Sequence, residues 1–234
     1  MCARKPSFAA TRIGRLRHVP AERRPRHCHE GAFAAVVLTG SYIEAGDEGR
    51  RTVHPGDVLI HRPFESHLND VSTRGAEVLI LAMPADTSLP VFGRCRDPDR
   101  VVGLAQADPT AALRELLIQF ESRTQEHEDW PDLLARALRT APSMSLSDWA
   151  DTMRLRPETV SRGFRRAYGS SPTAYRATVR ARAALSQIVA TRTSLCDVAN
   201  SLGFSDQAHM TRAVTRLTGR SPRHFRARRE PGQS

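Results

Sequence analysis

Two stretches of this chain repeat one another. Ser145-Leu-Ser-Asp-Trp-Ala-Asp-Thr-Met-Arg-Leu155 and Ser194-Leu-Cys-Asp-Val-Ala-Asn-Ser-Leu-Gly-Phe204 both read Ser-Leu-x-Asp-apolar-Ala-x-x-apolar-x-apolar, 49 residues apart. Gly169-Ser-Ser-Pro172 then matches Gly219-Arg-Ser-Pro222 at an offset of 50, and Tyr175 matches Phe225. The repeat means two copies of one supersecondary unit; a solenoid would need at least three.

Each copy reads as a pair of helices. Ser145 and Ser194 are N-caps with an acid three residues on, a short-armed capping box. Leu195, Val198, Ala199 and Leu202 recur at i, i+3, i+4 and i+7, as do Leu146, Trp149, Ala150 and Met153. Gly203 breaks the second copy and supplies the positive φ of a tight turn. Ser205 is then read as the cap of a helix with the stripe Met210, Ala213, Val214 and Leu217. In copy one Pro157 suits the first helical turn, ahead of Val160, Gly163, Phe164 and Ala167. A short helix, a tight turn and a second helix are the spacing of a helix-turn-helix, present twice.

Charge follows the repeat. Residues 142–234 hold 16 Arg against 6 Asp and Glu, a net of +10, while residues 1–141 balance 19 basic against 19 acidic side chains. An Arg-rich coding bias explains the choice of Arg over Lys but not this asymmetry. A basic module beside a neutral one implies a polyanionic partner. The outward faces of the second helices agree. Copy one offers Glu158, Ser161, Arg162 and Arg165; copy two offers Gln207, His209, Thr211, Arg212 and Arg216. Arg and Gln can pair bidentately with guanine and adenine edges, and Ser and Thr reach phosphates or bases. A merely solvated face would mix Glu with Lys.

Gly203-Phe204-Ser205-Asp206-Gln207, with Arg212, Gly219 and Ser221-Pro222, resembles the AraC/XylS family of bacterial transcription regulators. The resemblance spans about residues 144–228. It implies two helix-turn-helix units bridged by a long helix over Thr173–Val189, entering successive major grooves about 34 Å apart. Base contacts then fall to Glu158, Ser161, Arg162, Gln207, His209, Thr211 and Arg212, and phosphate contacts to Arg165 and Arg216. Met210 and Val214 stand where the family has aromatic Phe, and Arg156 replaces a Ser cap.

The neutral half has another pattern. Apolar runs at Ala34–Leu38, Val58–His61 and Val78–Met83 are separated by turn signals at Thr39-Gly40, Gly46–Gly49, Pro55-Gly56-Asp57 and Pro84–Asp86. Strands and turns of this kind predict a small all-β barrel. His27 and His29 share one face of a strand, and the glycine turns and His67 follow. This order resembles a cupin barrel, which implies His27, His29 and His67 as metal ligands and puts the family's Glu at about Phe33. Three readings of the histidines stand: a site for Zn, Fe, Mn or Ni, a pocket for an organic effector that includes Phe33 and His61, or satisfied core histidines. Cys28 should point away from both neighbouring rings.

The expectation is therefore an α and β protein of two domains. A cupin-like barrel (1–106) senses a small molecule or metal, helices at 107–141 relay the signal or dimerise, and a double helix-turn-helix (142–230) binds double-stranded DNA. A homodimer and contact with RNA polymerase are the further partners implied. The alternative is a cupin metalloenzyme, a dioxygenase or isomerase, fused to a DNA-binding domain; the missing Glu argues against it. DNA-repair relatives of the module use clustered N-terminal cysteines, which Cys2, Cys28 and Cys95 do not form. Four scattered cysteines without CxxC argue against a disulfide framework and for a reducing cytoplasm. No apolar run approaches the 18 or so residues of a membrane span, and the basic N-terminus lacks the apolar core of a secretory signal.

Overall fold

The apolar runs of the first half become long strands because both of their faces are covered. In the computed structural model, which describes residues 16–124, 129–141 and 143–227, the strands are β1 (Leu16–Val19), β2 (Arg23–Cys28), β3 (Ala32–Gly46), β4 (Gly49–Val53), β5 (Asp57–His61), β6 (Ser66–Met83), β7 (Phe92–Cys95) and β8 (Phe120–Ser122). The N-terminal stretch read for a signal (residues 1–15), Pro142 and residues 228–234 lie outside the described residues. Alternate residues go to opposite sides of the sheet. Ala34, Val36, Val58, Ile60, Leu79 and Leu81 enter one buried cluster, while Ala35, Val37, Leu59 and Val78 enter another. A strand buried on both faces reads as a continuous apolar run. Helices α1 (Pro98–Ala107) and α2 (Pro109–Gln119) cover the first face through Val101, Ala105, Ala112 and Leu116.

The cupin-like β-barrel expected from the sequence is overturned by the strand pairing. The order is β1-β6-β3-β5-β7-β8, with β2 on β6 and β4 on β3. A barrel requires its end strands to pair; among the described residues β1 and β8 do not, so the sheet stays open. With the barrel goes the cupin resemblance. The turn signal Thr39-Gly40 is also corrected. β3 runs through it as a bulge, with register shifts at Val37/Thr39 and Gly40/Tyr42. Gly40 has φ +72, and a Cβ there would meet Gly75 O at 2.0 Å. Gly46–Gly49 does close the β3–β4 hairpin.

The chain divides into two compact units, one within Arg4–Glu128 and one within Asp129–Ser234. The second is all-helical: α3 (Trp130–Thr140), α4 (Leu146–Thr152), α5 (Pro157–Tyr168), α6 (Pro172–Ala190), α7 (Leu195–Ser201), α8 (Gln207–Thr218) and α9 (Pro222–Ala227). Ser145 and Ser194 cap α4 and α7 by accepting from the N–H of Asp148 and Asp197. Gly203 has φ +70, and Arg154, its counterpart in copy one, takes the same left-handed conformation at φ 53. Gly169 and Gly219 end α5 and α8 in that conformation too. The bridging helix is α6, whose 19 residues span about 28 Å. Its Tyr175, Ala181, Ala184, Leu185 and Ile188 are buried. No described helix is long and apolar enough to cross a membrane.

Candidate nucleic-acid interface and candidate metal centre

The two second helices, α5 and α8, bury one stripe and expose the other. Val160, Phe164 and Tyr168 are buried in α5, and Met210, Val214 and Thr218 at the matching positions of α8. Met210 and Val214 are fully buried, so the departure from Phe leaves an aliphatic core in copy two. On the outer face Glu158, Ser161, Arg162, Arg165, Gln207, Arg212 and Arg216 are exposed, and Thr211 is half-buried. Arg162, Arg165, Arg212 and Arg216 hold no ion pair among the described residues. An exposed cation outside any ion pair is available to a phosphate or a base edge.

His209 is placed differently. Its N–H donates to Asp206 Oδ1 at 2.6 Å, its Nδ1 lies 3.1 Å from Ser205 Oγ, and its ring packs edge-on against Phe204. These contacts tie the imidazole to the start of its own helix. The cap is Asp206, one residue beyond the Ser205 read from the sequence. The N–H of His209 and the nearby Arg212 hold its carboxyl below the usual range. Arg156, at the matching position of copy one, makes no side-chain cap bond.

In the sheet unit the bend of β3 collects the histidines. β3 pairs with β6 along its whole length, placing Gly46 opposite His67, while on its other edge its first half pairs with β5, placing Phe33 opposite His61, and its second half with β4. β2 lies on the other side of β6 with His27 opposite His67. The rings of His27 and His61 each lie 4.5 Å from that of His67, His29 is 5.3 Å from it, and Phe33 stacks on His61 at 4.4 Å. The sequence-predicted His27, His29 and His67 thus come together, with one ligand atom from each within 4.8 Å of the others. A second such group is Glu44, His61 and His67. Phe33 and His61 line one cavity with Tyr42, Glu44, His67 and Asn69. Its volume of about 40 Å³ compares with the 10–15 Å³ or so that one water needs. His54 is exposed in the turn before β5, its N–H donating to Asp57.

Burial sets the protonation of this cluster. It pushes His29 and His61 down to about 3, and neighbouring histidines and arginines add to the shift. His67 is lowered in the same way. His27 is lowered by burial and by Arg24, Arg17 and Arg26, against a bond to Pro25 O that raises it. Glu44 is pushed up to about 8 by burial and by Glu65. At neutral pH the cluster therefore holds neutral imidazoles beside a protonated carboxyl. The 3.5 Å approach of Glu44 Oε2 to His61 Nε2 is a neutral contact, not an ion pair. Neutral imidazole is the form that binds a metal.

Glu44 was missed from the sequence. Side-chain polarity would put Ile43 inside and Glu44 outside; instead Ile43 is 38% exposed and Glu44 5%. The only cue is that Glu44 shares a strand face with Tyr42, which is buried. Cys28 is disulfide-bonded, against the expectation of reduced cysteines, and offers no thiolate. Cys95 and Cys196 are free.

Several solved structures are similar to this chain. The C-terminal domain of AraT, a response regulator from Geobacillus stearothermophilus, is 17% identical, with 47% of this chain and 93% of that one covered and a TM-score of 0.42. A probable AraC family transcriptional regulator from Rhodopseudomonas palustris is 22% identical, with 42% and 94% covered and a TM-score of 0.39. ToxT from Vibrio cholerae is 7% identical, with 91% and 97% covered and a TM-score of 0.40. Among curated proteins none matches. Residues 149–228 match the family described as a helix-turn-helix domain, and they take in all of α5 to α8.

Proposed function

We propose that this protein is a one-component transcription regulator and not an enzyme. Its helical unit binds double-stranded DNA at a specific site, and its sheet unit senses a small molecule or metal at the histidine cluster of His27, His29, His61 and His67 with Phe33. The observation that carries the reading is the doubled helix-turn-helix. Each copy presents a second helix with exposed arginines, in the part of the chain that holds its whole net charge. Glu158, Ser161, Arg162, Gln207, Thr211 and Arg212 are the proposed base readers, and Arg165 and Arg216 the phosphate contacts. His209 belongs with them by position, although its ring is held by Ser205 and Phe204.

Arg212 gives the sharpest test. A binding site is first selected from random duplexes with the full chain. Arg212→Ala should then relax base choice at one position of that site and cost about 1–3 kcal/mol. Arg216→Ala should weaken all sequences alike and reduce the salt dependence by about one phosphate contact. A uniform loss on Arg212→Ala would make Arg212 a phosphate contact, and failure to select any site would defeat the reading.

A further inference from the structure

His67 belongs to both groups that can hold a metal, so one ion has two alternative ligand sets. Two observations separate them. Glu44, His61 and His67 are each at most 5% exposed, whereas His27 and His29 are half-buried. Charge is the second. A dication on three neutral imidazoles would bring two positive charges beside Arg17, Arg24 and Arg26, which act on His27. A set that includes Glu44 also lies near Arg26 and Arg51, but it supplies one negative charge of its own once the carboxyl releases its proton to solvent as the ion binds.

The spacing fits. A tetrahedral ion with bonds of about 2.1 Å separates neighbouring ligand atoms by roughly 3.4 Å. Glu44 Oε2 and His61 Nε2 are 3.5 Å apart, and the whole set lies within 4.8 Å. Asn69 Nδ2 donates to Glu44 Oε2 at 3.1 Å and fixes the carboxyl on the side facing His61. The cavity bounded by Phe33, Tyr42 and Ile80 leaves room for a fourth ligand. We propose that Glu44, His61 and His67 bind one divalent first-row cation, with Zn²⁺ the simplest occupant of two nitrogens and an oxygen. Its role in regulation rests on the sensor reading above; the site itself does not.

The test uses the full chain stripped of metal and titrated with Co²⁺, whose absorption reports four-coordinate binding, followed by displacement with Zn²⁺. Uptake of one ion per chain is expected. Glu44→Gln keeps the volume and removes the charge, and His61→Gln removes a nitrogen ligand. Each should weaken Co²⁺ binding by more than the roughly 10–100-fold lost with an outer hydrogen-bond partner. His27→Gln and His29→Gln should cost less than that. Ellipticity and melting of the metal-free variants check folding; should Glu44→Gln not fold, His61→Gln carries the same comparison. The proposal is overturned if the wild-type chain takes up neither ion, or if His27→Gln abolishes binding that Glu44→Gln retains. A site that fills as expected while affinity for the selected DNA stays constant would overturn the sensor reading and leave the site standing.

Discussion

The two helix-turn-helix copies share a sequence pattern and a backbone but are held together by different means. Copy one closes on aromatic rings. Phe164 stacks on Tyr168 at 4.7 Å, and both meet Tyr175 edge-on at 5.3 Å. Tyr168 donates to Asp132 Oδ1 at 2.8 Å, and Arg139 donates to the Tyr175 hydroxyl at 3.2 Å, so α3 is bonded into that copy. Copy two closes on Met210, Val214 and Thr218. Its turn is secured from α6, where Arg180 lies over the Phe204 ring at 4.7 Å and donates to Gly203 O at 2.9 Å. A repeated pattern therefore dictates where helices start, stop and face, and leaves the choice of core to each copy.

The largest effect that would test this difference is loss of the aromatic core. Phe164 is fully buried. Phe164→Ala should cost about 3–5 kcal/mol in denaturant unfolding of the full chain, with hydrogen exchange rising first in α3 and α5. Met210→Ala, at a fully buried site in α8, should raise exchange in α7 and α8 instead. If both substitutions loosen all four helices alike, the copies share one core and the contrast fails.

A smaller effect comes from the one small residue that separates the helix stripes. Gly163 lets the Trp130 ring lie against α5, and a Cβ there would come within 2.4 Å of it. Ala213 already carries a methyl at the matching position of α8. Gly163→Ala gains roughly 1 kcal/mol of helix propensity and loses about 1–3 kcal/mol to overpacking. The net should be a destabilisation of about 1 kcal/mol, with a shift in tryptophan emission as the ring gives way. Ala213→Gly should cost a similar amount for the opposite reason and leave the emission unchanged. A stabilised Gly163→Ala with unaltered emission would show that the ring does not need that space.

What the sequence made legible was local. The caps Ser145 and Ser194 and the break at Gly203 could be read because a helix buries residues that are three and four apart in the chain, whereas the bridging helix came only with the family resemblance. The sheet depended on distant pairing. Gly40 reads as a turn residue and is one in shape, but Gly75 lies against it, and the strand continues as a bulge. The same dependence hid Glu44. It meets His61, 17 residues away, across a bulged β3 whose first half pairs with β5 and whose second half pairs with β4. His27, His29 and His67 were found by their order along the chain, and that order survives the loss of the barrel that first suggested it.

The smallest expected difference lies at the caps of the two second helices. Asp206 accepts from the third N–H of α8, whereas Arg156 has extended backbone, at φ −69 and ψ 142, and no cap bond. That conformation is the one a capping side chain needs, so the vacancy at α5 is one of chemistry and not of geometry. Asp206→Ala should cost about 0.5–2 kcal/mol, and Arg156→Ser should gain up to about 1 kcal/mol. Exchange of the first-turn amides of α5 and α8 reads the two changes separately, since fraying at a helix end need not reach the global unfolding step. The expected order before substitution is faster exchange at the start of α5 than at the start of α8. Arg156→Ser should reverse it when combined with Asp206→Ala. If Arg156→Ser leaves α5 unchanged, Pro157, which has no N–H to satisfy, and Glu158 at the positive end of the helix already supply what the missing cap would.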